Sequence, residues 1–233
     1  MAGFQGFGKD ALGFFKALGF HQSREWFQEN RVIYDEQAKE PMLALLDTLT
    51  ARLAKAGVPL KGGPRTIFRI NRDVRFSKDK RPYQTHVSAV LTRAGDKGDP
   101  GLAYVHIAPK GTTHMEDASD GSFVAVGFHM PEPEALGAIR TAIRRDPKAW
   151  RAMEAKLEKA GLALGRASAM KRLPRGYEDM KDSPVADAFL LKSFTVAAPL
   201  PEKEITKPVL ADTIVDFVRR ARPLLDFGWK ALA

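Results

Sequence analysis

A change of hydrophobic period at Thr66 limits what this chain can fold into more than any other feature. Before it, apolar residues recur at three and four, the spacing of one face of a helix; after it they alternate, the spacing of a strand. Asp10 is placed to cap a helix carrying Leu12, Phe15 and Leu18, and Gly19 to end it. Ser23 is placed to cap a second, carrying Trp26, Phe27, Asn30, Ile33 and Tyr34, which Pro41 is expected to break or kink. Met42, Leu46, Leu49 and Leu53 form a third stripe that Gly57 stops.

The alternating runs are "TIFRIN" (66–71), "HVSAVLTR" (86–93), "AYVHIAP" (103–109) and "SFVAVGFHM" (122–130). The last three are joined by "AGDKGDPG" and "KGTTHMEDASDG", turns short enough to predict antiparallel neighbours. Helical spacing then returns, with Pro133 opening a segment through Leu136, Ile139 and Ile143, and Pro147 opening one through Trp150, Met153 and Leu157 to Gly161. A basic loop, "MKRLPRGYEDM", precedes a short helix near 184–190, a last strand "SFTVAAPL" and a terminal helix through Ile214, Phe217 and Val218. The pattern predicts one α+β domain over 1–233, a mainly antiparallel sheet with helices packed on one face. Its parts are a helical 10–57, a sheet-rich 66–130 and a helical and basic-loop 131–233.

Alternation divides each run into two sets. Phe68, Ile70, Val87, Ala89, Leu91, Ala103, Val105, Ile107, Val124, Val126, Phe128 and Met130 form an apolar set expected beneath the helices. The other set is mixed: Arg69, Asn71, His86, Ser88, Thr92, Tyr104, His106, Phe123 and His129, with small Ala125 and Gly127 leaving room for an approaching molecule. If chemistry is performed on that face, His106, with Tyr104 near it, is the candidate acid or base, since an unperturbed imidazole titrates at about 6.5. His86, His106 and His129 share parity, but no HxH, HExxH or carboxylate-histidine spacing supports a metal, and none is expected. No cofactor motif is present: "KGGPR" lacks the rest of a P-loop, nothing resembles GxGxxG after a strand, and the chain has no GxSxG and no cysteine.

The formal charge is +9, and much of it is local: Arg65 to Arg81 holds seven basic and two acidic residues. "RINRDVRFSKDKRPY" (69–83) leaves the polar strand face as a loop, with Arg69, Arg72, Arg75, Lys78, Lys80 and Tyr83 as candidate ligand-binding residues and Arg175 joining them from the second basic loop. Guanidinium forks match carboxylate and phosphate oxygens bidentately, so the expected partner is an anionic small molecule. The competing reading is a solvated loop held by its own ion pairs, Arg72 with Asp73 or Arg81 with Asp79. Net charge also admits nucleic acid, although no aromatic residues interleave with the basic ones as in single-strand binders, and a protein-interaction role is a third alternative. The N-terminus is interrupted by Lys9, Asp10 and Lys16, and no run reaches the ~20 apolar residues of a membrane span, so a cytoplasmic protein is expected.

Four stretches carry a family resemblance: "REWFQENRVIY" (24–34), "IFRINRDVRFSKDKRPY" (67–83), "KRLPRGY" (171–177) and "LKSF" (191–194). In motif and order they resemble a bacterial family known as domain of unknown function 2461. The resemblance implies one full-length domain and carries no catalytic residue. It marks Arg24, Arg69, Arg72, Arg75, Lys80, Tyr83 and Arg175 as motif positions. Members usually have asparagines before the REWF segment and a lysine after the PY pair, where this chain has His21, Gln22 and Ser23, and Gln84.

Overall fold

The computed structural model describes residues 3–111 and 120–233. In chain order the elements are α1 (Ala11–Phe20), α2 (Arg24–Glu29), α3 (Arg31–Tyr34), α4 (Glu40–Lys55), β1 (Val87–Thr92), β2 (Leu102–Ile107) and β3 (Phe123–Phe128). After these come α5 (Pro133–Arg145), α6 (Pro147–Lys159), α7 (Ala186–Phe189), β4 (Phe194–Pro199), α8 (Glu202–Ile205) and α9 (Val209–Ala231). Much of the expected turn over 110–121 lies outside the described residues. Among those described, no helix is long and apolar enough to cross a membrane.

Local chemistry sets the helix boundaries, with some departures from expectation. Ser23 Oγ accepts from the Trp26 N–H and so caps α2, whereas Asp10 makes no side-chain cap and α1 runs one residue past Gly19. Pro41 does not break the chain. A π-helical turn at Asp35–Lys39 carries α3 into α4, with Pro41 in the first turn of α4. Proline leaves the carbonyl four residues back without its usual donor, and the Gln37 carbonyl accepts instead from the Gly8 N–H at 3.0 Å.

The four strands form an antiparallel sheet in the order β1-β2-β3-β4, so β4 completes it after the excursion through α5, α6 and α7. The architecture is α+β. α4 lies against β1, and α9 against β3 and β4, on the face carrying Val87, Ala89, Leu91, Ala103, Val105, Ile107, Val124, Val126 and Phe128, all buried. One continuous hydrophobic cluster takes in these residues, the inner faces of α4 and α9, Trp150 of α6 and the aromatic side chains of the N-terminal helices. Arg140 of α5 is buried nearby without a carboxylate; it donates to the Leu191 carbonyl at 3.0 Å and lies 6.0 Å from the Tyr177 ring. It thereby joins the two C-terminal sequence motifs.

The run 66–71 is not a full strand. Thr66 Oγ1 accepts from the Gly63 N–H and donates to the Gly63 carbonyl, closing a 3₁₀ turn at Pro64–Thr66 that interrupts any ladder. Isolated bridges remain, Lys61 with Thr92 and Ile67 with Ala89, and the segment blunts the outer edge of β1. Without strand pairing its strict alternation is lost. Ile70 is buried as expected, but Phe68 is 39% exposed and turns to the opposite side of the sheet. Met130, also expected in the core, is 60% exposed just beyond β3, at a backbone φ of 41°.

Two helical glycines differ in their surroundings. A Cβ on Gly228 would stand 2.1 Å from the buried Phe128 ring, so α9 closes on β3 because position 228 has no side chain; a Cβ on Gly137 of α5 would meet nothing within 4 Å. Gly228→Ala is therefore expected to destabilise the protein by about 1–3 kcal/mol through overpacking. Gly137→Ala is expected to stabilise it by about 0.5–1 kcal/mol through helix propensity. Urea unfolding of the two variants checks both signs.

Candidate functional site

The arginine-rich loop is closed at its base. Asn71 and Tyr83 form a bridge, Arg72 N–H donates to the Pro82 carbonyl at 2.8 Å, and Gln84 N–H donates to the Ile70 carbonyl at 2.7 Å. Tyr83 is buried, stacks on Phe27 of α2 at 4.5 Å, and donates its N–H to Gln22 Oε1 at 3.0 Å. The loop is thus pinned to the N-terminal helices. Inside it, Arg72 Nη1 and Arg81 Nη2 each donate to Asp79 Oδ2 at 2.7 Å. Arg75 pairs with Asp73, and the Lys80 ammonium donates to the Val74 carbonyl at 3.0 Å. Hydrogen bonds from Arg81, then its backbone, then Arg72 hold the Asp79 carboxyl far below the usual range; Arg75 does the same for Asp73 more weakly.

Arg69, Arg72 and Arg75, all candidate ligand-binding residues, do not share one pocket. Arg69 lines a cleft on the uncovered face of the sheet, Arg72 lines a second cleft beside it, and Arg75 points to Asp73 and solvent. Lys78, Lys80 and Arg175 are exposed and line neither cleft. Tyr83 belongs to the second cleft. Of the second basic loop's neighbourhood, Ser168 reaches the first cleft, but Lys171, Arg172 and Arg175 do not.

The first cleft measures about 700 Å³. The register builds its floor: Ser88 stands opposite His106, Val90 opposite Tyr104, Tyr104 opposite Ala125, and Ala125 opposite Ala197. Phe68, Tyr104 and Phe123 supply aromatic walls, with ring centroids 6.1 Å apart for the first pair and 5.6 Å for the second. Charged Arg69 and Asp73 and polar groups such as Asn71, Gln84, His86 and Ser88 punctuate a mainly apolar surface.

A histidine pair forms the partition between the clefts. The His86 and His106 rings lie 4.1 Å apart, His106 stacks on Phe123 at 4.7 Å, and His106 Nδ1 is 3.0 Å from the Tyr104 hydroxyl. His106 is only 3% exposed, and its Nε2 has no hydrogen-bonding partner among the described residues. Burial pushes His86 down to about 4; burial, reinforced by His86, pushes His106 down to about 3. Tyr104 is raised by burial, with Ser88 opposing. At neutral pH all three are uncharged. They offer directional hydrogen bonds, and an imidazole with so low a pKa is a weak base. Among the described residues no third histidine, aspartate or glutamate joins the pair as a metal ligand set.

Sequence reasoning did not place Gln84, Ser168, Ser193, Thr195 or Ala197 at the cleft. For Thr195 and Ala197 a signal existed, since alternation in β4 separates them from buried Phe194 and Val196. Ser193, Gln84 and Ser168 lie outside the strands, where parity has no force.

The family model described as "Conserved hypothetical protein (DUF2461)" matches residues 10–227. No curated protein and no solved structure matches the chain.

The histidine pair gives stability a defined pH dependence. Both side chains bind a proton near 6.5 when unfolded but only near 4 and 3 when folded, so between these values the unfolded chain holds more protons. Their contribution is complete above about 6.5 and is lost as pH falls toward 4 and then 3, whereas Asp73 and Asp79 contribute a loss only below about 3.8. The urea midpoint should fall between pH 6.5 and 4, and the double variant His86→Gln/His106→Gln should flatten that slope.

Proposed function

The chain belongs to this family of conserved hypothetical proteins, and because the family's description carries no activity, we propose a function from the site itself: binding of a small organic ligand with an apolar, partly flat body and an acidic group, carboxylate or phosphate. The observation that carries this reading is the cleft on the open sheet face. Its volume of about 700 Å³ lies in the range of small-molecule sites, and its make-up, aromatic and aliphatic walls with a few placed polar groups, is what such sites share. Ala125 and Ala197 keep the floor low between Tyr104 and Phe123, so a flat body can lie against the strands. Nearby basic residues draw an acidic ligand. Nucleic acid is less well supported, since Arg72 and Arg75 are held by the loop's own aspartates, which breaks up any row of free cations.

Thermal shift against nucleotides, sugar phosphates and aromatic and aliphatic carboxylates tests the reading, because a ligand at 100 times its Kd stabilises by about 2.7 kcal/mol. At least one class should raise the Tm, and Ala125→Phe, which fills the cleft from its floor, should remove the shift while the protein stays folded. No stabilisation by any class, or an unchanged shift in Ala125→Phe, would overturn it.

A further inference from the structure

The second cleft, of about 520 Å³, adjoins the first: Gln84, His86 and Tyr104 line both. The two differ in charge. The first is lined by one guanidinium, Arg69, and one carboxylate, Asp73, whose charges act on each other. The second sets Lys16, Arg72, Arg81 and Lys110 around Asp79, the one carboxylate that lines it among the described residues. That carboxylate is shared between two guanidiniums, so one positive charge is left over even where the cations are paired. Lys16 is exposed on α1 with no ion pair among the described residues, and Lys110 Nζ reaches Glu202 only at 4.0 Å.

A second, independent observation points to a ligand in the same place. His106 lines this cleft and is almost wholly buried, yet its Nε2 has no hydrogen-bonding partner among the described residues. Buried polar nitrogens are nearly always satisfied, so an unpaired one in a residue that lines a basic cleft points to an oxygen partner there. The neutral ring carries its proton on Nε2 when the Tyr104 hydroxyl donates to Nδ1 across their 3.0 Å contact, and that N–H can be donated to an oxygen.

We propose that the second cleft seats a phosphoryl group: the ligand is a phosphate monoester whose apolar body lies in the first cleft and whose head passes Gln84, His86 and Tyr104 to reach Arg81, Lys16 and His106. This rests on the ligand-binding reading above and names its ligand class. A phosphate dianion calls for more than one cation and presents three acceptor oxygens, matching a guanidinium, an ammonium and an imidazole N–H; a carboxylate has one charge and two oxygens. Arg72 serves the loop instead, since it also donates to the Arg81 carbonyl at 3.1 Å.

Calorimetric titration with 1-naphthyl phosphate and 1-naphthol separates head from body. The wild-type protein should bind the phosphate at least tenfold more tightly than the alcohol. Lys16→Ala/Arg81→Ala, which leaves Asp79 its Arg72 partner, should erase that preference without weakening 1-naphthol, and His106→Phe should reduce it several-fold. A preference that survives the double variant, or that is lost only in Arg69→Ala, would overturn the phosphoryl site while leaving the ligand-binding reading intact. Failure of both compounds to bind would overturn both readings.

Discussion

Because α4 and α9 pack against one face of the four-stranded sheet, every strand has to send alternate side chains to the opposite face, and the candidate site lies there. The covered face is uniform: Val87, Ala89, Leu91, Val105, Ile107, Val124 and Val126 meet the inner sides of the two helices, and removal of that apolar surface from water is the main stabilising term. The uncovered face has to be compatible with both solvent and strand packing. Its residues are accordingly aromatic rings with polar edges, hydroxyls and neutral imidazoles.

The histidine pair shows what that position imposes. His86 and His106 lie against one another and against Phe123, half roofed by the loop that leaves residue 71 and returns at 83, and the loss of hydration drives both pKa values down. Charge is kept out of the partition and placed at its flanks: Arg69 on one side, Arg72 and Arg81 on the other. The site therefore has cations at its rim and neutral hydrogen-bonding groups at its floor.

The loop 69–83 has two roles that the sequence runs together. Part of its charge is structural: Asp79 ties Arg72 to Arg81, Asp73 holds Arg75, and Lys80 turns back onto the Val74 carbonyl. Tyr83 anchors the whole excursion to Phe27 and Gln22. A stretch of fifteen residues with six cations needs internal carboxylates to keep one shape, and the two aspartates supply them. What remains free of that task faces the clefts or the solvent.

The short turns gave the antiparallel pairing; hydrophobic period gave the order of helices and strands apart from the run 66–71, and which strand residues face the helices, because alternation in a strand is imposed by backbone geometry. It therefore also separated His86, Ser88, Tyr104, His106 and Phe123 from the core set. It failed for Phe68 and Met130, which lie where regular pairing has ended, so that parity no longer governs direction. The destination of each arginine was a tertiary matter. A guanidinium at the end of a long side chain reaches whichever carboxylate the fold brings near, and the separation of Arg69, Arg72 and Arg75 was settled by where Asp73 and Asp79 stood once the loop closed on Tyr83. The unpartnered Nε2 of His106 likewise exists only in the folded chain, since it follows from the ring's burial between His86 and Phe123.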